Sequence, residues 1–184
     1  MAEPITTAQP DALYPLSMFR LARGASNLKY EVIESNAVPQ PYAGLLVHQG
    51  DMTSRLENFH GGPIHVHKLT SSNDGKAYYR EVVLQTQEGK PVEYGAIEIT
   101  LANLPEDLRE EILAAKRPLG GILNDARISY LSSPRAFLKA LPDEPIRQAL
   151  GLTEVAGRLY GRSNEITGYG GESYARIVEI LPPA

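Results

Sequence analysis

Hydrophobic positions along this chain change period several times. Ile64 to Leu69, Tyr78 to Gln85 and Pro91 to Thr100 carry alternating or near-continuous apolar residues, bounded by the polar clusters Ser71-Ser72-Asn73-Asp74-Gly75 and Gln87-Glu88-Gly89-Lys90. Runs of this kind predict strands, and reversals this short make them antiparallel neighbours. Two further strands, about Val155 to Thr167 and Glu172 to Leu181, flank the glycine-rich reversal Gly168-Tyr169-Gly170-Gly171. Elsewhere the period is helical. Met52, Leu56 and Phe59 share a face behind a capping Asp51, and Leu104, Leu108, Ile112 and Leu113 form a stripe along Glu106 to about Lys116, which Pro118 stops. Gly44-Leu45-Leu46-Val47-His48 reads as a short strand, Leu16 to Leu21 as a short docking helix, and Ser133 to Ala140 and Glu144 to Leu150 as short helices. The expected fold class is α+β: a mostly antiparallel sheet with helices inserted between an early and a late group of strands. Residues 1–40 are proline-rich and weakly periodic, so they are expected to wrap one domain formed by residues 41–184.

Two charges interrupt the strand pattern. Arg80 shares a strand face with Tyr78, Val82 and Leu84, and Glu179 shares one with Ala175, Ile177 and Leu181. Both faces look buried, and an ionised group there costs on the order of several kcal/mol unless something compensates it. The two residues pair with each other, pair with a bound ion, or face the other way by one position of register. Gly95, inside the strand from Pro91 to Thr100, marks either a bulge or a place where a ligand approaches the backbone.

Composition narrows the classes. A chain of 184 residues that is 42% hydrophobic can fill one core, and a net charge of -4 with no run of Lys and Arg argues against nucleic acid as a partner. There are no cysteines, which excludes disulfides and thiolate chemistry. Met1 to Pro15 has neither a secretory apolar core nor a membrane span, so a cytoplasmic location is expected. His65 and His67 alternate on one strand and could hold a metal with His48 or His60, but a solvated histidine face is favoured and no metal is expected. The glycines at 168, 170 and 171 lack the Lys-Ser/Thr of a phosphate cradle, and Ser132, Ser133 and Ser163 lack a nucleophile elbow.

One ordered series of motifs resembles a known family. Met52-Thr53, Tyr79-Arg80-Glu81-Val82-Val83-Leu84, Gly89-Lys90-Pro91 leading to Gly95, Arg117-Pro118-Leu119-Gly120, Leu159-Tyr160-Gly161-Arg162, and Glu179 before Pro182-Pro183 are together similar to chorismate pyruvate-lyase. The resemblance covers roughly Ala43 to Pro183. It implies a chorismate lyase-like fold enclosing a buried ligand cavity, a fold shared with ligand-sensing domains of some bacterial transcription regulators. It also implies a lyase that splits chorismate to 4-hydroxybenzoate and pyruvate without a cofactor, for quinone or secondary-metabolite synthesis. Carried onto this chain, Arg80 would grip a carboxylate of the substrate with its guanidinium fork, and Glu179 would orient the ring hydroxyl or move a proton. Met52 and Leu119 would supply walls and backbone polar groups, and Gly95 would leave room for the ring. Arg176 and the histidine-rich segment His60 to His67 depart from the family pattern. The alternatives are a non-catalytic sensor for an aromatic acid on the same fold, or a related lyase for another carboxylated cyclohexadiene. The first 40 residues are too short for a winged helix, which favours the enzyme.

Overall fold

The alternating segments pair into one antiparallel sheet of seven strands. It belongs to a computed structural model that describes residues 10–153 and 157–184. Along the chain run α1 (Leu16–Ala22), β1 (Lys29–Ile33), α2 (Tyr42–Leu46), α3 (Met52–His60), β2 (His65–Asn73), β3 (Ala77–Gln85) and β4 (Pro91–Thr100). They are followed by α4 (Glu106–Ala114), α5 (Leu119–Asp125), β5 (Leu131–Leu141), α6 (Glu144–Ala149), β6 (Leu159–Thr167) and β7 (Ser173–Leu181). Spatially the strands lie in the order β1-β5-β6-β7-β4-β3-β2. The meander β2-β3-β4 and the hairpin β6-β7 follow the expected turns, and β7 against β4 joins the early and late groups. The expected start of β6 at Val155 lies outside the described residues.

Four segments differ from the sequence pattern. Ser133–Ala140, expected as a helix, lies inside β5, where Pro134 sits at a register shift that spares it a ladder hydrogen bond. Of the segment 44–48, expected as a strand, Gly44 to Leu46 lie in α2 and Val47 and His48 follow its end: Ala43 N donates to Pro39 O at 2.9 Å and Gly44 N to Pro41 O at 3.1 Å, so two prolines start a turn that Leu45 and Leu46 bury. The helix expected to run to Pro118 ends at Ala114, with Ala115 in the left-handed conformation as its cap, and Pro118 instead opens α5, which the pattern did not reveal. Within residues 1–40, β1 pairs with β5 as an edge strand whose exposed face hides the alternation.

Helices cover both faces of the sheet. On one face Val83, Tyr94, Ala96, Val178 and Ile180 meet Leu13, Leu16 and Phe19 from the α1 region and Ile146 and Leu150 around α6. On the other face two clusters stand side by side. Ile112, Leu119, Ile122 and Leu123 of α4 and α5 cover Tyr78, Ile97, Ile99 and Ile166. Leu45, Leu46, Met52 and Leu56 of α2 and α3 cover Val82, Leu84 and Leu181. Between the clusters, register places two rows across the middle of the sheet: Arg80, Ile97, Ile177 and Asn164, then Val82, Gly95, Glu179 and Arg162. Because paired residues of an antiparallel ladder project to the same side, both rows face the seam between the helix pairs. Gly161 brings β6 close against β7 there, since a Cβ at that position would lie 2.2 Å from the Glu179 carbonyl oxygen. Among the described residues, no helix is long and apolar enough to cross a membrane.

Candidate functional site

A cavity of about 60 Å³ occupies that seam. Met52, Arg80, Gly95, Leu119 and Glu179, the five site residues expected from sequence, all line it. Its apolar walls include Val82, Leu84, Ile97, Ile166 and Ile177. One buried water occupies about 10–15 Å³ on a comparable measure, so the volume suits a compact molecule of a few polar atoms and one ring. A wider groove of about 610 Å³ adjoins it and shares Asp51, Thr53 and Pro118 with its lining. A Cβ at Gly95 would lie 3.4 Å from both Val82 Cγ2 and Glu93 Oε1, which is ordinary contact. Glycine here keeps space open in the cavity without being demanded by the backbone.

Buried charge in this chain falls into two kinds. Glu81, 1% exposed on the opposite face, accepts from Arg23 at 2.7 and 2.6 Å and from the Tyr94 hydroxyl, and Arg20 donates to Ser26 O at 2.8 Å and to Asp143. These are structural ion pairs with their bonding capacity met. The cavity charges differ. Arg80, 2% exposed, donates to the carbonyls of Ile112 and Arg117, both at 3.4 Å, and lies beside the Tyr78 hydroxyl, while its Nε has no partner among the described residues. Arg80 and Glu179 do not pair with each other. Instead Glu179 accepts from Nε of Arg162, a residue 0% exposed whose Nη1 also donates to Leu46 O and His48 O, each at 3.2 Å. That leaves Arg162 Nη2 unpartnered. Glu93, opposite Leu84 in the ladder, is 4% exposed, and its Oε2 is unpartnered as well. Of the five buried side-chain atoms without a hydrogen bond among the described residues, the three on Arg80, Glu93 and Arg162 belong to residues that line this cavity.

The electrostatics follow from burial. Desolvation, and then the charge on Glu179, hold the Glu93 carboxyl well above the usual carboxylate range. Burial also lowers Arg80 from its ordinary value, but a guanidinium stays protonated. His48, beside Arg162, is pushed down to about 4, first by burial and then by that positive charge. With Glu179 paired to Arg162 and Glu93 held toward its neutral form by burial, Arg80 is the cavity charge without an ion-pair partner among the described residues. Asp51, at the rim, caps α3 by accepting from Ser54 N at 2.7 Å.

Other sequence candidates lie elsewhere. His65 and His67 are exposed on the edge strand β2, and no group of three metal-binding side chains occurs among the described residues. Arg176 is exposed on the opposite face of β7, its guanidinium 5.7 Å from the Tyr14 ring. The glycines after β6 form a hairpin closed by Gly168 N to Glu172 O at 2.8 Å. Sequence reasoning missed Glu93 and gave Arg162 no role. Strand parity could have found both, since Glu93 lies two residues from Gly95 and Arg162 lies on the row of Glu179.

No protein-family model and no curated protein matches the chain. Solved structures do. PhnF from Mycobacterium smegmatis superposes with a TM-score of 0.53 at 14% identity, covering 73% of this chain and 64% of that one, so the chain spans less than two thirds of PhnF. The effector domain of PhnF alone gives 0.53 at 15% identity, covering 72% of this chain and 88% of that domain. A ligand-binding domain assigned to a GntR-family transcriptional regulator of Bordetella bronchiseptica gives 0.51 at 13% identity over 65% of this chain and 85% of the other. The chain has a chorismate lyase-like fold. Within that fold the expected activity is corrected. The solved structures that share it here are regulator effector and ligand-binding domains, so the pyruvate-eliminating enzyme implied by the motif resemblance, with its place in hydroxybenzoate synthesis, gives way. The geometry adds that Glu179, to which proton transfer was assigned, is ion-paired with the buried Arg162. What the chorismate lyase-like fold supplies in this chain is a small, largely apolar cavity with the Arg80 guanidinium in its wall.

Proposed function

We propose that this chain is a non-catalytic binding module, a sensor domain whose ligand is a small organic acid, with aromatic acids of benzoate size as its class. The observation that carries this reading is Arg80: a buried guanidinium that, among the described residues, has no carboxylate partner and an orphaned Nε, and that lines a compact, largely apolar cavity. Leaving such a charge uncompensated is costly, and a ligand carboxylate accepting from it would recover that cost. The space left at Gly95 and the aliphatic walls suit a ring. That related folds serve as effector and ligand-binding domains of regulators supports a sensing role over turnover.

Thermal denaturation tests it with benzoate against benzamide, which keeps the ring but not the charge. Benzoate at about 100 times its Kd should add about 2.7 kcal/mol of stability, several degrees in Tm for a chain of this size, while benzamide adds little. Arg80→Met should abolish the benzoate response while unfolding at the same or a higher temperature, because the buried charge is gone. An Arg80→Met protein that responds to benzoate like the wild type would exclude this reading of the cavity.

A further inference from the structure

The cavity has a second polar end. Arg80 lies on the α4–α5 side, against the Ile112 and Arg117 carbonyls. Arg162 lies on the α2–α3 side, against the Leu46 and His48 carbonyls. Glu93 belongs with the latter: its Oε1 reaches over Gly95, 3.4 Å from where a Cβ would sit, and Gly95 is the ladder partner of Glu179. Among the described residues, nothing hydrogen-bonds the two atoms left over at this end. Arg162 Nη2 is a free donor, and Glu93 makes no side-chain hydrogen bond among the described residues, although it neighbours Leu84 in a site where leucine would fill the same space. An orphaned, fully buried acid beside an orphaned guanidinium nitrogen is a cost that an apolar residue would avoid. We propose that Glu93 and Arg162 Nη2 form a second subsite that recognises an oxygen substituent on the ring of the bound acid, at the end opposite its carboxylate.

This deepens, and rests on, the reading of the cavity as an organic-acid site. The charged and titratable groups facing Glu93 fit the assignment: Glu179 on β7 and Arg162 on β6 are paired with each other, Arg80 on β3 is reserved for the carboxylate, Asp51 caps α3, and His48 lies behind Arg162. Held as a neutral acid by burial and by Glu179, Glu93 can donate to a ligand oxygen and accept from its proton, while Arg162 Nη2 donates from the other side. A hydroxyl takes up both roles, and a bare ring leaves both groups unpaired.

Titration calorimetry with two matched pairs tests the subsite: 4-hydroxybenzoate against benzoate, and 4-hydroxycyclohexanecarboxylate against cyclohexanecarboxylate. Wild-type protein should bind the hydroxylated member of each pair about tenfold tighter or more, the worth of one good buried hydrogen bond. Glu93→Leu should bring each pair within about threefold while still binding the unsubstituted acid, and Glu93→Gln, which keeps a donor and an acceptor, should retain most of the preference. An undiminished preference in Glu93→Leu would overturn the subsite and leave the organic-acid reading standing. If none of the four acids bound the wild type, both readings would fall together.

Discussion

At the scale of single residues, Glu93 and His48 give stability opposite dependences on pH. The folded protein keeps a proton on Glu93 that the unfolded chain loses once pH rises above the ordinary glutamate range, so stability falls with increasing pH, by at most about 1.4 kcal/mol per unit, until the folded group also ionises. His48 works from the acid side. Its folded pKa is about 4 against an ordinary 6.5, so as pH drops through that window the unfolded chain gains a proton that the folded chain refuses, and stability falls. Urea unfolding from about pH 4 to 9 should therefore show Glu93→Gln flattening the alkaline limb and His48→Gln flattening the acid limb. A Glu93→Gln profile parallel to the wild type would mean that Glu93 is ionised in the folded protein, and the charge balance drawn for the cavity would be wrong.

At the scale of elements, the Arg162–Glu179 pair ties the hairpin β6-β7 to the end of α2 and so fixes one cavity wall. Arg162→Leu and Glu179→Leu should each cost about 3–5 kcal/mol, because each strands a buried charge, while the double variant should be close to wild type or above it. Chemical denaturation in a double-mutant cycle measures this, and additive losses would show that the two side chains act independently. The same elements show what could be read from sequence. The β3 and β7 parities were legible because hydrophobic runs flank the charges, and β3, β4 and α4 lie within a few residues of their expected positions. Pro134 and the Pro39–Pro41 turn were not. A bulge admits proline into a strand, and a proline turn winds a short apolar run into a helix, and neither exception is written in the local period. The site divided similarly. Arg80 and Glu179 stood out as charges in apolar runs, whereas the partner of Glu179 depended on which strands are neighbours across the sheet, a non-local fact.

At the scale of the whole molecule, the sheet separates two uses of buried charge. The α1–α6 face closes around satisfied pairs such as Arg23–Glu81 and serves stability. The other face is divided between two helix pairs that meet where Asn124 of α5 reaches Asp51 at the start of α3, and beneath them the unsatisfied groups of Arg80, Glu93 and Arg162 collect in one cavity beside a wider groove. That groove carries its own cations, Lys116 and Arg117, but also the carboxylates of Asp51, Glu57 and Asp125, and Arg117 is held by Glu111 and Asp125, so the inner cavity is the better anion site. A crystal structure of the protein with 4-hydroxybenzoate tests the central claim most directly. The account predicts the carboxylate within hydrogen-bonding distance of Arg80 Nε, the ring over Gly95, and the hydroxyl between Glu93 and Arg162 Nη2. A ligand seated in the outer groove against Lys116 or Arg117, with the inner cavity holding only water, would contradict it.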